Sequence, residues 1–402
     1  MARLGDVCSI QSGGTPLRSV ADYWNDGSIP WVKISDISEK YVVSTEEHIT
    51  SEGLKNSSAK IFKKGTILYT IFATLGETGI LKIDAATNQA IAGITVNDTN
   101  QLNPDYLYYY LLSKKEYVNG VGRGVAQNNI NMSILRNFEI TIPPVVEQQE
   151  ITDILEKIAS AISLRQQQLD KLDQLVKSRF IETFGDPIIN PMGWPEHQLS
   201  EYIEFLTSGS RGWAKYFSED GEYFITIKNV KNCQITLDDV QHILPPDNAE
   251  AKRTRVQEGD LLISITADLG RTGVISKDIA EHGGYINQHL TCIRLNKQVL
   301  APLYVAYYME SNAGKEQFQS KNQSAVKAGL NFDSINTLRL MVPPMAIQEA
   351  FIAFVSQVDK SKFEIQQSLE KLETLKKALM QKFFNANCKC KLDTHGRVGT
   401  GC

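Results

Sequence analysis

The 402-residue chain contains no apolar run near the roughly 18 residues that a membrane span requires. Its opening, MARLGDVCSI, lacks the long apolar core of a secretion signal, so a cytoplasmic protein with no membrane partner is expected. The six cysteines, Cys8, Cys233, Cys292, Cys388, Cys390 and Cys402, are too few and too scattered for a disulfide framework. The six histidines do not pair at ligand spacing. Cys388, Cys390, His395 and Cys402 form only a weak zinc pattern, and residues 388–402 read as a disordered tail. No charge of one sign dominates: 42 Lys and Arg face 46 Asp and Glu, for a net charge of -4. That excludes a histone-like polycation but leaves room for a local basic surface.

Catalytic signatures are missing too. The chain has no GxxxxGK[ST] phosphate loop, no GxGxxG after a strand, no HExxH and no GxSxG. Asn103-Pro-Asp-Tyr106 is close to the Asn-Pro-Pro-Tyr motif of amino-methyltransferases, but its third residue differs and its repeat partner is Ala301-Pro-Leu-Tyr304, so it reads as a helix start. Pro246-Asp247 with Glu250-Ala-Lys252 mimics a nuclease cluster, yet the matching Asn56, Ser57 and Ser58 carry no carboxylate. A non-catalytic protein is expected.

What the sequence does contain is a repeat at an offset of roughly 200 residues. Lys63 to Leu81 aligns with Gln257 to Ile275 through Gly65/Gly259, Leu68/Leu262, Ile71/Ile265, Ala73/Ala267, Leu75-Gly76/Leu269-Gly270 and Thr78-Gly79/Thr272-Gly273. Asn88-Gln89 then meets Asn287-Gln288, and Asn103 to Ser113 meets Ala301 to Ser311. Both copies end on Pro-Pro, at Pro143-Pro144 and Pro343-Pro344. Runs Ile29 to Ile37, Gly65 to Ile71 and Ala90 to Val96 are β-branched and aromatic and predict short strands. Tyr106, Tyr109 and Tyr110 stand at helical spacing, and core packing is favoured over base stacking.

After each Pro-Pro the period becomes helical. The first copy places Leu155, Ile158, Ile162, Leu169, Leu172 and Val176 at helical steps, and the second gives Val355, Val358, Ile365, Leu369, Leu372, Leu375 and Leu379. Steps of three and four over such a length predict a coiled-coil seam, and about 35 residues give a rod of roughly 50 Å. An ordinary amphipathic helix lying on each domain is the alternative.

The duplicated units, each closed by Pro-Pro and a long helix, together with FGDPIINPMGWP (Phe184 to Pro195), resemble the specificity (S) subunit of type I restriction-modification systems. The resemblance extends from Leu4 to Phe384. It implies an α+β fold with two pseudo-repeated globular target-recognition domains separated by two long antiparallel coiled-coil helices. The divisions are 1–146 and 187–346 for the readers, with 147–186 and 347–387 for the spacer helices. It implies that each reader takes one half of a bipartite double-stranded DNA target while the helices set the gap and dock two modification (M) subunits. Those subunits would carry S-adenosylmethionine, and restriction (R) subunits would use ATP and Mg, so no cofactor is expected in this chain. FGDP precedes only the second domain; the first opens on Arg3-Leu4-Gly5-Asp6, matched by Leu199-Ser200-Glu201-Tyr202, and Phe383-Phe384-Asn385 makes the halves quasi-circular.

In such readers, positions that keep the framework but change polar chemistry carry specificity. In the LGxTG loop Thr74 becomes Asp268 and Glu77 becomes Arg271; Arg suits guanine O6/N7, and Asp or Glu suits cytosine N4. A solvated charge beside a turn explains this loop equally well. GRGVAQNNIN and KNQSAVKAGLN supply Arg123, Gln127, Asn128, Lys321, Gln323 and Lys327 for phosphate or adenine, leading into Asn131 and Asn331. A third set is Ser12-Gly13-Gly14-Thr15 and Ser208-Gly209-Ser210-Arg211, with Lys33, Lys228 and Asn229 ending the next strand. Asn88-Gln89 and Asn287-Gln288 do not change and read as fold elements. The competing function is a coiled-coil scaffold whose repeated domains bind protein.

Overall fold

The computed structural model describes residues 1–122, 130–322 and 329–384. The chain forms two compact units, Met1–Gln166 with Gln367–Cys402, and Gln167–Gln366. This division cuts through both long helices, whereas the sequence reading drew its boundaries at the helix ends.

In the first unit, Cys8–Ser12, Ile91–Val96, Ile67–Thr70, Thr78–Leu81 and Tyr41–Val42 form a five-stranded sheet in that order. Ile94 lies opposite both Ile10 and Ile67. One face of this sheet, with Ile10, Ile67, Tyr69 and Ile94, joins Leu107 and Leu111 of helix Pro104–Ser113 in the main core. The other face, with Leu68, Leu81 and Ile91, packs against Val32 and Phe62 of a four-stranded sheet. Strand Ile67–Thr70 is therefore covered on both sides, and every residue in it is buried. That explains its continuous rather than alternating apolar text. The strand expected over Ile29 to Ile37 stops at Val32, because the Asp36 carboxylate accepts the Lys33 N–H at 2.7 Å and closes a 3₁₀ turn, Ile34–Asp36. Tyr106, Tyr109 and Tyr110 are core residues; the Tyr106 and Tyr110 hydroxyls donate to the carbonyls of Thr141 and Glu139.

The second unit repeats this order with Ile203–Ser208, Leu290–Leu295, Leu261–Ser264, Thr272–Val274 and Cys233–Ile235, adding Val230–Lys231 at the edge. Leu4 and Leu199 play one role: both are fully buried, and their N–H groups donate to Phe138 and Leu338 carbonyls.

Each unit is completed by parts of two 40-residue helices, Val145–Phe184 and Met345–Phe384, each about 60 Å long. Within the second unit Asp173 pairs with Lys362 while Phe180 and Phe184 meet Phe351 edge to face, so the helices run antiparallel. The buried seam positions are Leu155, Ile158 and Leu369 in the first unit and Val176, Val355 and Val358 in the second. Leu375 is not among them: it is 46% exposed. Counting three and four from Leu369 through Leu372 reaches Lys376, the repeat partner of Val176, and burial pushes the Lys376 ammonium below its ordinary pKa.

One duplicated device was invisible in the pattern. Gln148 and Gln348, each four residues beyond the Pro-Pro, are fully buried. The Gln148 Oε1 accepts the Asn103 N–H, and its Nε2 donates to the carbonyls of Gln101 and Pro143. Gln348 does the same with Ala301, Val299 and Pro343. Each amide thus ties the first turn of a long helix to the end of a strand and the start of a core helix.

Candidate nucleic-acid interface

Two short connections, 71–77 and 265–271, have the same architecture. In each, a hydroxyl clamps the turn: Thr70 Oγ1 donates to the Thr74 carbonyl and accepts the Glu77 N–H, as Ser264 Oγ does with Asp268 and Arg271. The Gly76 and Gly270 N–H groups close on the Thr70 and Ser264 carbonyls. Ala73 and Ala267 sit left-handed at φ 61° and 58°, a conformation alanine adopts only where its surroundings impose it. Beside them run the Gly13 and Gly209 turns. A Cβ on either glycine would lie 2.0 to 2.4 Å from atoms of residues 87–88 or 286–287, so backbone packs on backbone there. Asn88 and Asn287 accept the N–H two residues on, at 3.0 and 3.1 Å, holding these connections in shape. Asn131 and Asn331 cap Met132–Arg136 and Phe332–Asn336.

On this shared frame the candidate side chains fare differently. Thr74 is exposed at the loop tip. Glu77 does not stand free but pairs with Lys115 at 2.7 Å. Asp268 and Arg271 bind each other, so the two expected readers of the second loop form one ion pair. Lys33 is held by Glu46 at 2.6 Å and Glu47 at 3.0 Å, which keep its ammonium above its ordinary pKa. Lys228 and Arg211 are exposed, and Lys321 donates to the Thr337 hydroxyl at 2.8 Å. Asn229 is a correction. It is buried, its Oδ1 accepts from the N–H and hydroxyl of Thr226, and its Nδ2 donates to the carbonyls of Thr236 and Asp238. With its bonding capacity spent on a turn, it cannot reach a base. Arg123, Gln127, Asn128, Gln323 and Lys327 lie outside the described residues, as do Cys388, Cys390, His395 and Cys402.

Sequence reasoning overlooked Phe72 and Thr266 on these loops and Arg253 on the helix Ala249–Thr254. Phe72 is 42% exposed beside Ala73. Thr266 replaces it in the second unit and meets His289 Nδ1 at 2.7 Å. Arg253 donates to Thr207, Ser208 and Ser210 beneath the second glycine turn. The difference was signalled in sequence by the Thr266-for-Phe72 exchange beside Ala73/Ala267 and by the His289-for-Ala90 exchange directly after the unchanged Asn-Gln pair.

Among the described residues no group of three or more His, Cys, Asp or Glu side chains is placed to hold a metal ion. Burial pushes the Cys8 thiol up to about 12 and also raises Cys233 and Cys292, so at neutral pH these remain protonated. Asp247 of the nuclease-like text is exposed and pairs with Lys252 at 2.9 Å.

The fold and these loops define a class: a duplicated α+β protein that presents one loop frame twice, with side chains exchanged between copies, and carries two long helices. The chain belongs to the type I restriction modification DNA specificity domain family, whose model matches residues 1–174 and 191–377. It is 28% identical over 250 residues to the specificity subunit of the type I restriction enzyme MjaIX of Methanocaldococcus jannaschii, covering 57% of each chain. The MjaVIII specificity subunit of the same organism aligns over 97% of this chain and 93% of its own at 21% identity. The match to the Escherichia coli EcoR124I/EcoR124II specificity subunit spans 39% of that relative at 27% identity. In fold, the chain is similar to the type I restriction-modification system S subunit of M. genitalium, with a TM-score of 0.51 over 96% of each chain at 15% identity. A chain from a structure on complex assembly and conformational transition of the type I R-M system gives 0.59 over 96% and 97% at 18% identity. No helix among the described residues is long and apolar enough to cross a membrane.

Proposed function

We propose that this chain is the non-catalytic, DNA-reading subunit of a type I restriction-modification complex, each unit reading one half of a split target. The observation that carries this reading is the twice-built loop frame whose backbone bonds are the same and whose tips differ: Phe72, Thr74 and Glu77 against Thr266, Asp268 and Arg271. A protein that recognised one partner twice would have no need to exchange those tips. The long helices set the gap between half-sites and dock two M subunits. Leu164, Leu175, Phe363 and Leu375, apolar and exposed on these helices, suit such docking. S-adenosylmethionine then belongs to M, ATP and Mg to R, and the complex works in the cytoplasm.

The test is selection from a random DNA library by the full chain, with and without an M subunit. Enrichment of a bipartite motif with a fixed unread gap is expected; featureless retention overturns the reading and leaves the protein-binding scaffold. Opposite charges are interleaved, so binding by the chain alone should be weak and salt-sensitive.

A further inference from the structure

Thr266 and His289 stand where the first unit has Phe72 and Ala90, and the backbone around both pairs is the same. The Ile71 N–H donates to the Ala90 carbonyl at 2.8 Å, and the Ile265 N–H to the His289 carbonyl at 3.0 Å. From the other side, the Ile130 N–H donates to Ile71 and the Leu330 N–H to Ile265. Residues 72 and 266 are thus pinned at corresponding places, each followed by a left-handed alanine. Their chemistry is opposite.

In the second unit the orientation of the Gln288 amide sets the direction of the hydrogen bonds. His289 Nε2 lies 3.2 Å from the amide nitrogen of Gln288. With the amide nitrogen of Gln288 facing the ring, this ring nitrogen accepts and the imidazole proton sits on Nδ1. That proton goes to Thr266 Oγ1, 2.7 Å away. The threonine oxygen is then an acceptor toward His289, and its own proton is left to donate elsewhere. In the first unit neither Phe72 nor Ala90 has a polar side-chain atom, and Phe72 holds an apolar ring partly in solvent.

We propose that residues 72 and 266 are matched half-site determinants: Phe72 packs on a thymine methyl group in one half-site, and the Thr266 hydroxyl donates to a base-edge acceptor in the other. His289 and Gln288 are positioning residues that direct the Thr266 proton. The base chemistry follows from the major-groove edges, where a thymine methyl is the apolar feature and purine N7, guanine O6 and thymine O4 are acceptors. This inference rests on the DNA-reading proposal above.

The test uses the full chain in complex with its M subunit and selection from a random library. Thr266→Val keeps the shape and removes the proton; it relaxes preference at one base pair of one half-site by about three- to tenfold. Thr266→Ser retains the preference. His289→Ala reproduces the Thr266→Val loss and adds nothing to it in the double variant, whereas His289→Asn, whose amide can donate near the Nδ1 position, restores selectivity. Phe72→Ala weakens a thymine preference in the other half-site only. Unchanged melting curves separate these effects from unfolding. A wild-type complex that selects a split motif, with Thr266→Val and Phe72→Ala leaving base preferences unaltered or altering both halves equally, overturns the inference. A wild-type complex that selects no split motif fails the DNA-reading proposal itself.

Discussion

The two units agree at several buried polar positions and differ at the exposed charges of their loops. Gln148 and Gln348 make the same three hydrogen bonds, and Thr70 and Ser264 clamp the same turn. One layer out, the charges are rearranged. Glu77 reaches across to Lys115 on Lys115–Gly122, whereas Arg271 folds back on Asp268 three residues earlier in its own loop. The pair in the first unit ties the loop to a helix; that in the second leaves both partners on the loop. At these positions duplication kept the backbone bonds and changed the charges, and it did the same inside the fold where Asp260 pairs with Arg294 at 2.9 Å in place of Thr66 and Thr95.

The largest effect should come from breaking what the units share. Gln348→Leu leaves an N–H and two carbonyls without partners inside the protein, at about 1–3 kcal/mol each, partly offset by the added apolar contact. A net loss of about 3–5 kcal/mol is expected from Gln348→Leu, and the same from Gln148→Leu, read by chemical denaturation. A loss in one unit several-fold larger than in the other would show that the clamps are not equivalent.

These glutamines also show where sequence reading stops. Gln148 lies in the polar run Glu147-Gln148-Gln149-Glu150, which reads as a solvated helix face, and its acceptors and donor lie up to 47 residues away. Nothing local announces such a partner. Asn229 was different: three residues after Thr226 it completes a capping box, a local pattern that the spacing of the two residues already spells out. The repeat itself was legible because glycines such as Gly13 and Gly209 answer to backbone clearance rather than to surface chemistry. The seam was legible as a period, but Leu375 drew the count off its face, because apolarity was weighed above spacing at one position. Which loop charges pair with each other was illegible, since Glu77–Lys115 and Asp268–Arg271 depend on side-chain reach in three dimensions.

The next largest effect concerns the helices. Asp173 meets Lys362 within the second unit, and Ile162 lines the same groove as Glu373 and Lys376 within the first, so in each unit the two helices run antiparallel. Deleting 166–169 together with 366–369 shortens each helix by about 6 Å. The selected DNA gap should shrink by one or two base pairs, and affinity for the original spacing should fall by about a hundredfold as half-site contacts are lost. Continued preference for the original gap would rule out a ruler function.

A smaller and one-sided effect is expected from the loop ion pairs. Arg271→Ala should relax base preference in a single half-site by about tenfold, the scale of one good base contact. Asp268→Ala, which frees Arg271, should change preference in that same half-site rather than abolish it. Equal changes in both half-sites would contradict a one-unit, one-half-site division.

The smallest effect separates two lysines that follow corresponding strands. Lys33 already pairs with Glu46 and Glu47, the latter shared with Arg18, so a phosphate must compete with two carboxylates for it. Lys228 is exposed and has no ion-pair partner among the described residues. If both loops lie along DNA, Lys228→Ala should reduce the slope of log affinity against log salt by about one, while Lys33→Ala changes it much less. Removing both acids with Glu46→Gln and Glu47→Gln should then make the first unit behave like the second, steepening the slope and making it sensitive to Lys33. Equal slopes for Lys33→Ala and Lys228→Ala in the wild-type background would show that the acidic pair does not hold Lys33 back from DNA.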